Sequence, residues 1–409
     1  MDAELVEIWL PYGASEVPVR IPDERLVDIF TPRKSENVSD TAKETSSLLK
    51  SNREFLDAAR RAQRVCVVLG ASANRHLTST LVMTLVDCLK EDGVSSNSIT
   101  MLRAKEAPEL DQAFLGDIRL VSHDPVASTV VPLKDFKHDF SISLNSIFAE
   151  ADFRILLGEL KPHHFFGLSG LTDIVFPGLA TRESATNQLS GRKPTELTSL
   201  YEERVDVAKS FENVFAIGFV LDGELSPVKF AAGGFQDCIR GLAKVTHDIC
   251  LRQVRRTADV LVMSAGGRPW DESLVTTADS LPAGVPALKR DGALIVAAEC
   301  PLGHGNGEFY HWCAEHKEPR YLEARLKHTF SYQGFKAAFL LRTLESHRIY
   351  LVSTIPDHYV QSVFGMRAAP TVNSALQTVQ HSLGSDFTIS VIPDATRVML
   401  TRAEPDHGR

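Results

Sequence analysis

The chain has 409 residues, of which 44% are hydrophobic and 23% are charged, and its formal net charge at pH 7 is -8. This length and hydrophobic content are sufficient for two or three domains with buried cores. The negative charge argues against nucleic acid as the main partner, because phosphate contacts need clustered Lys and Arg. No apolar run approaches the roughly 18 residues of a membrane span and no signal segment is present, so we expect a cytoplasmic protein without a membrane partner.

Buried strands alternate with amphipathic helices along the first half of the chain. Residues 65–70 (VCVVLG) are a β-branched run that ends in glycine, which is typical of a parallel strand. The spacing of Leu81, Leu85 and Leu89 predicts a helix over residues 77–92. The other predicted elements are strands at residues 98–103, 118–123, 152–157 and 214–220, and a short helix at residues 108–115. This order predicts an α/β sheet that binds ligands at the carboxyl ends of its strands.

A second α/β unit is predicted to begin near residue 255. Its predicted elements are strands at residues 259–264, 292–298, 348–354 and 387–393, and a helix at residues 368–383. The fold class is therefore α/β, with two α/β domains and a ligand pocket expected in a cleft between them, near the glycine-rich residues 303–307.

The segment with the most chemical information is KPHHFFGLSGLTDIVFPG at residues 161–178. It follows a predicted strand and contains two adjacent histidines, His163 and His164, before a Gly-x-Ser-Gly turn. Gly167 and Gly170 permit positive φ angles, so the chain can reverse sharply and bring backbone N–H groups near a ligand. This arrangement can hold a base at the mouth of a pocket. The alternative is a loop with two solvated or capping histidines.

Four motifs together resemble the nickel-pincer lactate racemase family. The pattern His-x-x-x-Gly-x-Ser-Gly followed by Pro-Gly resembles the core signature of that family. Residues 9–26, with WLPYG and VPVRIPDERL, are similar to its opening hairpin, and residues 258–271 and 291–309 are similar to motifs of its second domain. The resemblance covers nearly the whole chain. It implies an N-terminal domain of residues 1–252 that is joined by residues 386–402, and a C-terminal domain of residues 257–385.

The resemblance implies an isomerase, a racemase or epimerase of 2-hydroxy acids that uses a nickel pincer cofactor. The histidine of the family's loop maps onto His163, or onto His164 if the loop is shifted by one residue, and we predict both as catalytic candidates. The family's Asp-x-x-Arg turn maps onto residues 72–75, and its arginine holds the substrate carboxylate. The predicted substrate-binding residues are Arg75, Ser72, Thr78 and Ser79.

Other functional positions of the family carry different residues in this chain. Asp173 stands at the position of the cofactor-anchoring lysine, Gln188 at that of the nickel-binding histidine, and Leu102 at that of the second base. A carboxylate has no amine for the covalent link, a leucine accepts no proton, and glutamine is a poorer nickel ligand than imidazole. In the second domain, Thr276 and Asp279 replace a glutamine and a lysine. We therefore predict that a covalent nickel pincer is absent, with the identity of any other cofactor open.

The residues leave three functions open. The first is a divergent racemase or epimerase acting on a small hydroxy carboxylate, and the second is a non-catalytic hydroxy-acid-binding or regulatory homologue. The third is a lyase in which His163 abstracts a proton and Asp173 assists. No metal site is predicted, because the six cysteines are scattered and His304, Glu308 and His311 lack the helical spacing of a zinc site.

Overall fold

The computed structural model of the chain describes residues 4–104, 107–133, 140–190, 192, 196–197, 200–315, 317–384 and 386–402. The described residues form two compact units. The middle unit contains the described residues of 33–190 and 196–249, and the terminal unit contains the described residues of 4–32 and 250–402 together with Arg192. Within these residues, no helix is long and apolar enough to cross a membrane.

A mixed sheet forms the centre of the middle unit. Its four central strands are parallel to one another and to a fifth, and an antiparallel strand lies at one edge. In sheet order the strands are Pro227–Gly234, Val214–Leu221, Phe153–His163, Val65–Leu69, Ile99–Arg103 and Arg119–Ser122. The short strand Gly167–Gly170 pairs with the end of Phe153–His163, and Val130–Pro132 pairs with Ser143–Asn145.

Helices cover this sheet because their apolar faces match the buried strands. All five residues of Val65–Leu69 are buried, and Leu81, Leu85 and Leu89 of the predicted helix pack into the same core. The helices of the middle unit are Thr41–Ser51, Arg53–Arg61, Arg75–Glu91, Gln112–Leu115, Ser146–Ala149, Arg182–Leu189, Leu200–Lys209 and Phe235–Cys250, with 3₁₀ turns at Ser96–Ser98 and Leu171–Asp173. The helix predicted from residue 108 begins only at Gln112, because the Asp111 side chain caps it by accepting from the backbone N–H of Ala113.

The terminal unit is built on a parallel six-stranded sheet. In order its strands are Arg367–Ala368, Arg348–Val352, Leu288–Ala297, Ala258–Ser264, Ile389–Ile392 and Leu26–Ile29. The other strands are the antiparallel hairpin Leu5–Tyr12 and Ser15–Pro22, and the parallel pair Leu251–Val254 and Met399–Arg402. The helices are Leu274–Thr277, Leu281–Gly284, Gly307–Glu315, Pro319–His328, Tyr332–Ser346, Asp357–Ser362 and Val372–Leu383, with 3₁₀ turns at Asp23–Arg25 and Val285–Ala287.

The prediction that residues 386–402 rejoin the first domain is wrong. The strand Ile389–Ile392 lies between Ala258–Ser264 and Leu26–Ile29 and is parallel to both, and all four of its residues are buried. The predicted N-terminal domain is also wrong at its start, since residues 4–32 belong to the terminal unit. Leu10 of the opening hairpin packs in the same core as Val391. A buried strand needs neighbours on both sides, and its own residues do not indicate which sheet supplies them.

Candidate functional site

The predicted site residues of the middle unit lie around the carboxyl edge of its sheet, where ligands of α/β folds bind. The strand Phe153–His163 extends past the end of Val65–Leu69, and its last residues pair with Gly167–Gly170. In this hairpin His163 lies opposite Gly167 and Lys161 lies opposite Ser169. The loop after Val65–Leu69 begins alongside, where the N–H of Gly70 donates to the carbonyl of Leu157 at 2.9 Å.

Arg75 is the first residue of the helix Arg75–Glu91 and is exposed. The Asn74 side chain caps the helix by accepting from the N–H of Leu77 at 2.8 Å, and Ser72 Oγ accepts from the N–H of Asn74 at 3.2 Å. In the described part of the chain, the Arg75 guanidinium makes no hydrogen bond or ion pair. A cation in the first turn of a helix is placed unfavourably in the helix dipole, so this guanidinium is suited to meet an anion from solvent.

Two of the predicted binding residues use their hydroxyl groups within the helix. Thr78 Oγ1 donates to the carbonyl of Asn74 at 3.0 Å, and Ser79 Oγ donates to the carbonyl of Arg75 at 3.1 Å. Thr78 is also 1% exposed. This burial argues against Thr78 as a ligand contact, whereas the role of Ser79 stays a prediction.

His163 is half-buried at the end of its strand, and its ring orientation is fixed by the following turn. The backbone N–H groups of Phe165 and Phe166 donate to His163 Nδ1 at 3.1 and 3.2 Å. The centroid of the imidazole is 4.6 Å from that of the Phe166 ring. His164 is also half-buried. Because residues at alternate positions of a strand point to the same face, His163 shares the face of the strand that carries Lys161, whereas His164 already lies in the turn.

The structure brings together Asp173 and Gln188 through an arginine that the sequence analysis had not identified. Arg204 Nη1 donates to Asp173 Oδ1 at 2.9 Å, and its Nε is 3.4 Å from Gln188 Oε1. Gln188 Nε2 is in turn 3.3 Å from Glu203 Oε2. The Arg204 guanidinium lies 4.1 Å from the centroid of the Phe166 ring. One buried side chain thus links the histidine loop to the helices Arg182–Leu189 and Leu200–Lys209.

This network does not fit a covalently anchored nickel pincer. The Asp173 carboxylate also accepts from the N–H of Gly170 at 3.3 Å and the hydroxyl of Thr172 at 3.2 Å. Gln188 is 1% exposed, with its amide bonded on both sides. Leu102, which the family resemblance aligns with the second base, is fully buried. These residues offer neither an amine for a covalent link nor an imidazole for the metal, and their side chains are already engaged.

Further polar residues lie on the same face of the strand as His163. Glu159 and Lys161 precede it at alternate positions and are both buried, and a Glu159 carboxylate oxygen is 3.5 Å from the N–H of Ala73. Ser169, opposite Lys161, is 4% exposed, and within the described residues its Oγ has no hydrogen-bond partner. Glu159 and Lys161 could have been identified from the sequence, because they are charged residues at alternate positions of an apolar strand. Nothing in the sequence marks Arg204 as a site residue, because its partner Asp173 is 31 residues away.

A cavity of about 490 Å³ in the middle unit lies at the opposite edge of the sheet. Its wall includes Phe153 and Val214, which are the first residues of their strands. The nearby Asp152 carboxylate is bonded to the backbone and side chain of Arg64. Ligands of α/β sheets bind at the carboxyl edge, so the position of this cavity does not support it as the site.

In the terminal unit, Asp279, which the family resemblance aligns with a lysine, also forms an ion pair. Lys336 Nζ donates to Asp279 Oδ2 at 2.6 Å, and the Tyr332 hydroxyl donates to Asp279 Oδ1 at 2.6 Å. The Thr276 hydroxyl donates to the carbonyl of Ser273 at 2.7 Å. Among the residues that the structure describes, no three or more His, Cys, Asp and Glu side chains are grouped so that they could hold a metal ion.

Comparisons with known proteins give the same family for the N-terminal and the C-terminal parts of the chain. The family descriptions "Lactate racemase N-terminal domain" and "Lactate racemase C-terminal domain" match residues 12–190 and 254–400. A lactate racemase of Thermoanaerobacterium thermosaccharolyticum is 25% identical over 428 residues, which covers 97% of this chain and 99% of that protein. A lactate racemase of Lactiplantibacillus plantarum is 27% identical over 279 residues, which covers 63% of each chain.

Solved structures share the fold at low sequence identity. The lactate racemase apoprotein from Thermoanaerobacterium thermosaccharolyticum superimposes with a TM-score of 0.77 at 22% identity, covering 97% of this chain and 100% of that one. A Thermotoga maritima protein superimposes with a TM-score of 0.62 at 15% identity, covering 89% of this chain and 97% of that one. The likeness in fold therefore extends through both units.

Proposed function

We propose that this chain, which belongs to the lactate racemase family, is a divergent 2-hydroxy-acid racemase or epimerase that works without a covalently anchored nickel pincer. Family membership supports racemase-type chemistry on a small hydroxy acid. The observation that carries the choice of ligand is Arg75, an exposed guanidinium at the start of a helix, with no hydrogen bond or ion pair among the described residues.

In this proposal Arg75 holds the carboxylate of the hydroxy acid. A guanidinium matches a carboxylate in bidentate geometry, and the first N–H groups of the helix add to the attraction for an anion. His163, on the neighbouring strand, contacts the ligand oxygen. Asp173 has no role as a base, because Arg204, Gly170 and Thr172 already donate to its carboxylate. This last point weakens the lyase alternative.

A second candidate is a non-catalytic protein that binds a hydroxy carboxylate. The observation that favours it is the network of Asp173, Arg204 and Gln188, because Arg204 bonds to the side chains at two positions that the family resemblance assigns to the cofactor. In this case Arg75 and the His163 loop bind the ligand without turnover.

The test of the carboxylate clamp is calorimetry with a panel of D- and L-2-hydroxy carboxylates. Arg75→Ala is expected to weaken binding by about 1.5–3 kcal/mol, the usual contribution of a hydrogen bond to a charged group, and Arg75→Lys by less. Arg182→Ala is the matched control, because Arg182 is also exposed and also the first residue of a helix in the middle unit. An Arg75→Ala protein with wild-type affinity would place the clamp elsewhere.

Chiral chromatography of the bound acid separates the two candidates. Inversion of configuration by the purified protein supports the racemase, and binding without inversion supports the non-catalytic candidate. The intact mass is expected to equal the mass of the sequence, with nickel substoichiometric after co-expression with cofactor-biosynthesis enzymes. A stoichiometric adduct, for example on Lys161, would contradict the absence of a covalent anchor.

A further inference from the structure

Asn74 bonds to two segments of the middle unit at once. Its Oδ1 accepts from the N–H of Leu77 at 2.8 Å, and its Nδ2 donates to the carbonyl of Leu225 at 2.9 Å. The first bond caps the helix that begins at Arg75, and the second reaches a turn 151 residues away in the sequence. Because an N–H lies on one side and a carbonyl on the other, the two contacts fix the orientation of the amide.

The turn that accepts the second bond, residues 222–226, is held by hydrogen bonds of its own. The Asp222 side chain is buried and accepts from the N–H groups of Glu224 and Ser226, both at 2.9 Å. Leu225 has a φ of 59°, in a region that leucine rarely adopts. Such a conformation persists only where the surroundings hold it, so the carbonyl of Leu225 is a fixed point of attachment.

The bond joins two loops at the carboxyl edge of the sheet. The loop that contains Asn74 follows the strand Val65–Leu69, and the turn 222–226 follows the strand Val214–Leu221. The strand Phe153–His163 lies between these two in the sheet, so no strand pairing connects them directly. The bond therefore fixes the start of the helix relative to a part of the edge that the sheet itself does not tie to it.

A second helix of the middle unit begins with the same two residue types. Asn52 caps the helix Arg53–Arg61 by accepting from the N–H of Phe55 at 3.0 Å, and the first residue of that helix is an exposed arginine, as at Arg75. In the described part of the chain, the Asn52 amide nitrogen donates to no other group. Capping alone thus needs no amide donor, and the second bond of Asn74 is additional to its role as a cap.

We propose that Asn74 is the positioning residue of the carboxylate clamp, because its bond to Leu225 sets the direction from which Arg75 meets the ligand. The Arg75 guanidinium makes no hydrogen bond or ion pair among the described residues, so its position there depends on the backbone that carries it. Bidentate binding needs the guanidinium and the carboxylate in one plane, and a displaced first turn of the helix weakens it. The identity of the ligand rests on the proposed function, whereas the bond to Leu225 does not.

Asn74→Ser separates the two bonds of this residue. Serine is an equally good cap for the N–H of Leu77, but it lacks the amide that donates to Leu225. In calorimetry with D- and L-lactate, we expect this variant to bind about three- to tenfold more weakly, the effect of one hydrogen bond. Asn52→Ser is the matched control and should stay within about twofold of the wild type. Wild-type affinity in the Asn74→Ser protein would overturn the proposal.

The same substitution in an Arg75→Ala background tests whether Asn74 acts through Arg75. A residue that acts only by positioning the guanidinium has no effect once the guanidinium is removed. Asn74→Ser should therefore change the affinity of the Arg75→Ala protein by less than about twofold. An equal loss in both backgrounds would show that Asn74 acts by another route, and the positioning role would be wrong.

Hydrogen exchange followed by mass spectrometry tests the bond to Leu225 without a ligand. We expect Asn74→Ser to speed the exchange of peptides that cover residues 70–78, because the cap is kept but the attachment to the turn is lost. Asn52→Ser should leave these peptides unchanged. Wild-type exchange of residues 70–78 in the Asn74→Ser protein would overturn the proposal. If the wild-type protein binds neither enantiomer of lactate, the proposed ligand class is wrong, and the exchange result alone decides whether Asn74 holds the start of the helix.

Discussion

Asp173 in the middle unit and Asp279 in the terminal unit both stand where the family resemblance places a lysine, and both accept from a basic side chain on a helix that is distant in sequence. The two pairs have similar burial. Arg204 and Lys336 have side chains 4% and 5% exposed, and the aspartates are 25% and 27% exposed. The positive charge missing from the local sequence is thus supplied from elsewhere in each unit. A substitution that changes the charge at such a position can therefore be interpreted only when the partner of the new side chain is known.

The pairs differ in how many elements they connect. Arg204 also reaches Gln188 and lies over Phe166, so it links the histidine loop to two helices. Lys336 donates to the carbonyl of Val275 and to the carboxylate of Asp279, which are only four residues apart, so it connects its own helix to one short segment of the chain. Its ammonium also lies over the ring of Tyr332. This difference follows from chemistry, since a guanidinium has five donors in a plane and an ammonium acts as a point charge.

Removal of Arg204 should have the largest effect. Arg204→Met leaves Asp173 without its cation and breaks the link to Gln188, so we expect a loss of about 3 kcal/mol in the free energy of unfolding. All three tryptophans, Trp9, Trp270 and Trp312, lie in the terminal unit. Urea unfolding followed by circular dichroism should therefore shift, while the transition followed by tryptophan fluorescence should not. A shift of the fluorescence transition alone would contradict this assignment.

Removal of Lys336 should act on the other unit. Lys336→Met is expected to cost about 2 kcal/mol, because one buried ion pair is broken but no second helix is released. Here the fluorescence transition should move to lower urea. Arg240→Met is the control for both variants, since Arg240 pairs with Asp237 on the surface and such pairs contribute about 0–1 kcal/mol. A loss for Lys336→Met larger than for Arg204→Met would reverse the comparison.

His123 extends the comparison to a buried group that fixes the chain through hydrogen bonds of a neutral ring instead of an ion pair. It does so at Ala180, just after the histidine loop. Its ring bonds to the carbonyl of Ala180 and the side-chain amide of Asn145, and burial lowers its pKa from the ordinary 6.5. The unfolded chain therefore binds a proton first as the pH falls. This contribution to stability is complete above pH 6.5 and is lost as the pH falls through the lowered pKa. His123→Asn should remove that pH dependence from the circular dichroism transition, and an unchanged slope would contradict it.

The smallest effect is expected at Ser169, whose buried hydroxyl has no hydrogen-bond partner in the described part of the chain. Ser169→Ala removes a desolvated polar group and should leave stability unchanged or raise it by up to about 1 kcal/mol. Ser184→Ala is the matched control, since Ser184 is equally buried but accepts from the N–H of Ser143 at 2.9 Å, and its loss should cost about 1 kcal/mol. A destabilised Ser169→Ala protein would show that the hydroxyl is engaged in the free protein.

Local pattern was sufficient for most of the elements and for part of the site. The apolar spacing of Leu81, Leu85 and Leu89 predicted the long helix, and the β-branched run before it predicted the buried strand. Both predictions succeed because the hydrophobic periodicity of an element depends only on residues that are close in sequence. The same holds for the turn after His163. The stretch from residue 4 to 32 was misassigned, since strand partners are chosen by the whole sheet.

The sequence by itself was sufficient to predict the α/β fold class and the family, and the family resemblance aligned Asp173, Gln188 and Leu102 with functional positions, since each of these depends on residue identity or on short-range spacing. Only the tertiary structure decided that the strand Ile389–Ile392 belongs to the terminal sheet, that Arg204 joins Asp173 to Gln188, and that backbone N–H groups donate to His163 Nδ1. These are contacts between residues distant in sequence or directions of individual hydrogen bonds. They follow from packing and hydrogen-bond geometry, which no periodicity encodes.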